Sequence, residues 1–226
     1  MNIGTNAYPT IKNRKLYMSL ISKNISEFLT ELASPSPAPG GGSVSALAAA
    51  LAAALISMVS HLTIGKKKYA AVEKDIQQVL DQSEKLRFKL TSLIDKDTDA
   101  FILVMNALNL PKETDEQKSA RASALESATK EATMVPLDVM MVCRDAVELT
   151  KYVAHNGNVN ALSDAGVSAL LLRAGCRGAY YNVKINLSSL KDVGFIEKIK
   201  QQAAIVMEEV EQKSGKVIAH VESQWT

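Results

Sequence analysis

Three features of the sequence predict an all-α fold: an aliphatic, alanine-rich composition, apolar residues recurring at helical spacing, and no stretch of period-two alternation. Hydrophobic residues make up 47% of the chain and aromatics only 5%. A core of small aliphatic side chains suits closely packed helices better than a sheet of β-branched and aromatic residues. A chain of 226 residues suits one domain with a substantial core. The expected architecture is a single-domain bundle of long helices around a buried alanine-rich helix, over residues 16–226. A flexible extension is expected over residues 1–15, which lack a long apolar run.

The elements follow in order. Residues 26–33 (SEFLTELA) read as a short helix stopped by the SPSPAP run. Next comes PAPGGGSVSALAAALAAALISM, part of an uncharged stretch from residue 33 to residue 65 that ends at Lys66, Lys67 and Lys68. Its apolar run, residues 44–59, is shorter than the ~20 residues of a membrane span and is dominated by alanine. Its glycines fit neither phosphate-loop fingerprint, and no strand pattern precedes them. A helix apolar on every side belongs in the middle of a bundle. Leu47, Leu51 and Leu55 are expected to form a ridge on it, and Ser43 to cap it, with the amides of residues 40–42 near its positive end.

Residues 70–108 carry a long helical pattern that Pro111 ends. Thr114, followed by Asp115 and Glu116, opens a helix reaching about residue 153, with a kink or break expected at Pro136. Asn156-Gly157 closes it. Ser163 is expected to cap a helix running through Tyr180 toward Leu187, and Asp192 to open a last helix that Gly215 ends.

Two interruptions of this pattern stand out. On the long helix the apolar stripe of Leu86, Leu90, Leu93/Ile94, Phe101, Val104 and Leu108 is broken by Asp97, while Asp95 and Asp99 are expected on the solvated side. A carboxylate on an apolar stripe must be paired, hydrogen-bonded or protonated, and burial raises its pKa. A structural ion pair, a subunit contact and an acid/base or ligand-binding group all satisfy that spacing. Later, helical steps from Asp164 pass Ser168, Leu171, Gly175 and Gly178 to Asn182 and Asn186. Mid-helix glycines each cost about 1 kcal/mol relative to alanine, so a second helix or a ligand must approach that face closely. Asp164 itself is also explained as an acid in a first helical turn.

Cys143 and Cys176 are isolated and read as buried free thiols of a cytoplasmic protein. His61, His155 and His220 are scattered, with no partner at metal-ligand spacing. The net charge of +2, with acids and bases interspersed, marks no nucleic-acid or membrane-surface binder. Lys66, Lys67, Lys68 and Arg121 read either as solvated cations or as a clamp for an anionic ligand.

The segments SPSPAPGGGSVSALAAALAAAL, LTIGKKKY, LIDKDTDAF, LPKETDEQK, MVPL, GNVNALSDAG and NVKINL, in this order, resemble the formiminotransferase-cyclodeaminase C-terminal family across nearly the whole chain. The resemblance implies an all-α homodimer or larger assembly with folate sites near the subunit interface. No formiminotransferase segment is present, so a stand-alone form is expected. The implied activity is formiminotetrahydrofolate cyclodeaminase, with methenyltetrahydrofolate cyclohydrolase as the alternative at the same site. A non-catalytic folate-binding dimer is the reading of a different class. Asp97 and Asp164 fall on the family's recurrent carboxylates, one suited to general acid/base transfer and one to a bidentate hydrogen bond with the pterin edge. Gly41, Gly42 and Ser43 border the implied pocket, with Arg121, Asn182 and Asn186 as further substrate-binding residues. Lys66, Lys67 and Lys68 are assigned to the anionic tail of a polyglutamylated folate. No metal or redox cofactor, nucleic acid or membrane is implied, and His61 receives no role.

Overall fold

The computed structural model describes residues 19–225; the extension expected over residues 1–15 lies outside the described residues. The helices are α1 (Ile25–Leu32), α2 (Gly41–Thr63), α3 (Glu73–Leu108), α4 (Asp115–Asn156), α5 (Leu162–Leu187) and α6 (Val193–Glu222). Short 3-10 turns fall at Leu20–Ser22, Lys67–Tyr69 and Val159–Ala161, and no strand occurs among the described residues.

The helix ends follow side-chain capping where it is available. Asn24 caps α1 in a capping box with Glu27. Thr114 does the same for α4 with Gln117, and Asp192 accepts from the Phe195 amide to start α6. Neither serine expected to cap does so: α2 starts one turn early behind Gly40, and α5 starts at Leu162, which places Ser43 and Ser163 inside their helices. Gly215 does not end α6, which continues to Glu222. A single glycine is a tolerable cost when the turns on either side are packed.

Helices α2 to α5 alternate in direction around a common core, each antiparallel to the next. Ser43 meets Ile94 and Ser57 meets Ser83 across α2 and α3; Asn186 meets Ala132 and Ser168 meets Thr150 across α4 and α5. Helix α2 packs against α3 and α5 and diagonally against α4, and α6 lies over α4 and α5. Near the outer ends of α4 and α6, His155 and His220 stack with ring centroids 3.9 Å apart. Cys143 and Cys176 are buried and free, and the hydrogen bond that the Cys143 thiol makes to Cys176, together with burial, pushes the Cys143 thiol up. Asp95 is not simply solvated: it accepts from the Leu20 amide at 2.7 Å and from Ser19, anchoring the segment before α1.

Helix α2 reverses one expectation. By length and composition it could cross a bilayer, yet 61% of its most apolar window is buried within the bundle, so burial and not shortness makes it a core helix. Its buried side is made mostly of small residues, among them Ser45, Ala46, Ala49, Ala52, Ala53 and Ser60, with Ile56 and Val59 toward its far end. The leucine ridge points outward: Leu51 is 50% exposed, and Leu47 and Leu55 are half-buried. The reason lies on α5, where a Cβ at Gly175 would meet the Ser45 carbonyl oxygen at 2.8 Å and the Ala49 amide nitrogen at 3.3 Å. Backbones this close leave no space for leucine between them, so the glycine face is covered by a helix and not by a ligand.

Helix α4 runs through Pro136 unbroken. Proline has no N–H, so the carbonyl four residues earlier, at Ala132, loses its helical partner. Asn186 of α5 replaces it, its Nδ2 donating to Ala132 O at 3.0 Å. Between α2 and α3, Ser57 donates to Glu84 at 2.6 Å and Arg87 binds the same carboxylate through two nitrogens. These bonds hold the Glu84 carboxyl down at about 2.

Two glycine substitutions should therefore act in opposite directions. Gly175→Ala places a methyl against backbone and should lower stability by about 1–3 kcal/mol. Gly215→Ala, with nothing within 4 Å of the new Cβ, should raise it by about 0.5–1 kcal/mol through helix propensity. Urea unfolding of the two variants measures both.

Candidate active site

Asp97 projects from α3 onto the first turn of α2. A Cβ on Gly42 would lie 2.0 Å from its Oδ1, so only glycine admits the carboxylate at this place. Ser43, the third residue of α2, shares its one hydroxyl proton between Asp97 Oδ2 at 2.9 Å and Ile94 O at 3.1 Å, and its backbone N–H also serves the carboxylate. The carboxylate thus sits at the positive end of a 23-residue helix. Burial nonetheless pushes the Asp97 carboxyl above the ordinary aspartate range, against the two Ser43 hydrogen bonds that favour its ionised form.

A cleft of about 400 Å³ opens beside it. Its polar side is formed by the α2 start at Gly40, Gly41 and Gly42, by Asp97 and Thr98, and by Asn182 and Asn186 of α5. Phe101, Val104, Leu108 and Leu125 form its apolar wall. An apolar slot with a few converging polar groups and one carboxyl of raised pKa is the arrangement of a small-molecule site.

Of the residues picked out by sequence, Asp97, Gly41, Gly42, Ser43, Asn182 and Asn186 are brought together here. The amide nitrogens of the two asparagines are engaged, however, with Gly178 O and Ala132 O. Arg121 is not among the lining residues; its Nε donates to Leu108 O at 3.1 Å and joins the end of α3 to α4. Asp164 and the lysines are elsewhere in the chain. Eighteen residues of α5 separate Asp164 from Asn182, about 27 Å at ~1.5 Å per residue. Lys66, Lys67 and Lys68 follow the far end of α2, where Asn158 binds Leu62 O and Thr63. A single chain therefore does not join the two aspartates in one cleft.

Sequence reasoning missed Thr98, Phe101, Val104 and Thr129 as cleft residues. Thr98 was open to the same signal as Asp97, since the step of four from Ile94 lands on a second polar residue of the stripe. Thr129 carried no comparable signal. No group of three or more His, Cys, Asp or Glu that could hold a metal occurs among the described residues.

An up-and-down helical bundle with a partly buried carboxyl at one end defines a small-molecule site, and sequence and fold place it in a family. The formiminotransferase-cyclodeaminase model matches residues 24–205, and the chain belongs to that family. It is 48% identical over 188 residues to a methenyltetrahydrofolate cyclohydrolase of Methylorubrum extorquens, covering 83% of this chain and 90% of that one. It is 35% identical over 206 residues to the formimidoyltransferase-cyclodeaminase of Mus musculus, matching 91% of this chain but only 38% of the mouse protein. The crystal structure of a formiminotetrahydrofolate cyclodeaminase from Thermotoga maritima superposes with a TM-score of 0.82 at 31% identity, covering 90% of this chain and 98% of that one.

Asn186 is assigned a structural bond, which a thermodynamic cycle tests. Asn186→Leu should cost about 1 kcal/mol by leaving Ala132 O without its donor. That loss should shrink in a Pro136→Ala background, where the backbone N–H returns; equal losses in both backgrounds in denaturant unfolding would refute the pairing.

Proposed function

We propose that this protein acts on the one-carbon bridge of tetrahydrofolate, as a methenyltetrahydrofolate cyclohydrolase with Asp97 as its proton-transfer group. The observation that carries the reading is Asp97 itself, a partly buried carboxyl of raised pKa in a cleft with an apolar wall. The identity of 48% to the Methylorubrum cyclohydrolase, against 35% to the mouse bifunctional enzyme, favours hydrolysis. Formiminotetrahydrofolate cyclodeamination is the second reading, supported by the Thermotoga cyclodeaminase whose fold this chain shares.

In hydrolysis, water adds to the carbon between N5 and N10 of the methenyl cation and gives its proton to the Asp97 carboxylate. The protonated Asp97 then supplies that proton to the departing ring nitrogen as one C–N bond breaks, and the carbinol hydroxyl releases its proton as the formyl group forms. In cyclodeamination the same carboxylate takes the N10 proton as N10 attacks the amidine carbon, and returns it to the departing amine. A carboxyl held above the ordinary aspartate range suits both directions of transfer. The apolar wall is suited to the flat pterin, and a cleft of about 400 Å³ leaves a glutamate tail outside.

The assembly we propose is a homodimer in the cytoplasm, a location suited to two buried free thiols. On the outer face of α2, residues 44, 48, 51, 55, 58 and 62 alternate in steps of four and three, the spacing of a helix–helix seam. Val44, Leu51, Met58 and Leu62 are exposed there, with Val167, Leu170 and Tyr181 of α5 alongside. A two-fold axis across the middle of α2 would set its start against the end of the partner's α2. Lys66, Lys67, Lys68 and Asp164 of one subunit then approach the cleft of the other, where the lysines meet the glutamate tail and Asp164 the pterin edge.

Asp97→Asn should bind folate almost normally while turnover falls on the order of a hundredfold or more. Because the acting base is the ionised carboxylate, wild-type kcat/KM should rise with pH through a pKa above the ordinary aspartate value. The acid limb should vanish in Asp97→Asn. Loss or appearance of the methenyl absorbance follows either reaction, and an undiminished Asp97→Asn rate would refute the assignment.

Leu51→Glu should convert the dimer to a folded monomer with little activity, seen by sedimentation. Subunits carrying Asp97→Asn, mixed with subunits carrying alanine at Lys66, Lys67 and Lys68, should regain activity on a polyglutamylated substrate. Absence of complementation would place the lysines outside the site.

A further inference from the structure

The cleft contains one polar atom that the fold leaves unsatisfied. Thr98 is only 6% exposed, lines the cleft beside Asp97, and its buried hydroxyl oxygen has no hydrogen-bond partner. This is not the habit of helical threonines here. Thr30, Thr63, Thr91, Thr133 and Thr150 each donate to the carbonyl four residues earlier in their own helix. For Thr98 that carbonyl is Ile94 O, which accepts the Ser43 hydroxyl at 3.1 Å instead. Ser43 thus divides its one proton between Asp97 and the acceptor on which Thr98 would otherwise rest. A buried hydroxyl without a partner is destabilising, and valine would fill the same volume without that penalty.

We propose that Thr98 is a substrate-contacting residue whose hydroxyl binds, together with Asp97, the group that enters or leaves at the one-carbon bridge. This inference rests on the folate reading above. Water attacking a methenyl carbon and amine leaving a formimino carbon are both O–H or N–H donors. The hydroxyl oxygen of Thr98 accepts one hydrogen of that group while Asp97 takes a proton from the attacking water or delivers one to the departing amine. With two acceptors on one small molecule, its reactive lone pair is directed instead of free to turn.

The test is Thr98→Val, with Thr98→Ser and Asp97→Asn in parallel, each followed by thermal unfolding and by methenyl absorbance kinetics. Thr98→Val should unfold at or above the wild-type temperature, because no internal hydrogen bond is lost. Its kcat should fall roughly ten- to a hundredfold, the fold-change expected for a lost hydrogen bond to a charged or reacting group, with KM little changed. Thr98→Ser should recover most of the rate. Wild-type kcat in Thr98→Val, or a lowered unfolding temperature with no recovery in Thr98→Ser, would overturn the proposal in favour of a packing role. A fully active Asp97→Asn would overturn the folate-site reading and this inference with it. An inactive Asp97→Asn beside a fully active Thr98→Val would overturn the inference alone.

Discussion

Much of this structure depends on the absence of side chains where α2 meets its neighbours. At its start, Asp97 occupies the space that a Cβ on Gly42 would need; one turn on, the Ser45 carbonyl stands where a methyl on Gly175 would reach. Helices held this close can place only glycine, alanine and serine between them, and the gain is close van der Waals contact along the interface. The same closeness leaves several large residues of α2 on its outer surface, as Leu51 and Met58 demonstrate, while Ile56 and Val59 stay in the core. One constraint therefore shapes both the core and the apolar outer face of α2.

It also sets the electrostatics of the cleft. Because Gly42 admits the carboxylate to the very end of the helix, Asp97 is partly buried and still receives the Ser43 hydroxyl and amide. Burial opposes ionisation and those two donors favour it; burial prevails, and the carboxyl titrates above the ordinary aspartate range. An alanine at position 42 would displace the group from both influences together. On the opposite wall, Pro136 removes a donor from α4 and Asn186 supplies one, so part of the cleft's polarity maintains the backbone.

The candidate site was legible where it broke a pattern. Asp97 interrupts an apolar stripe, and the glycines of α5 demand a close neighbour; both readings hold in the fold. Thr98 interrupts the same stripe but was passed over, because a threonine in a helix ordinarily rests on its own backbone. That Ile94 O is already taken by Ser43 depends on a residue 51 positions away in sequence from Ile94. Helix ends were legible at Thr114 and Asp192, where a side chain caps, and misjudged at Ser43, Ser163 and Gly215, where tertiary packing extends the helix past a local signal.

By itself the sequence determined the all-α class, the long helices, the uncharged central helix and the family, because helical periodicity and ordered motifs are properties of local spacing. Only the tertiary structure decided which side of α2 faces inward, since a helix apolar all round carries no moment to orient it. It also decided that Asp97 and Asp164 lie at opposite ends of the bundle. Spacing along a helix measures rise but not which end a neighbouring helix presents; the antiparallel order of α2 to α5 settles that.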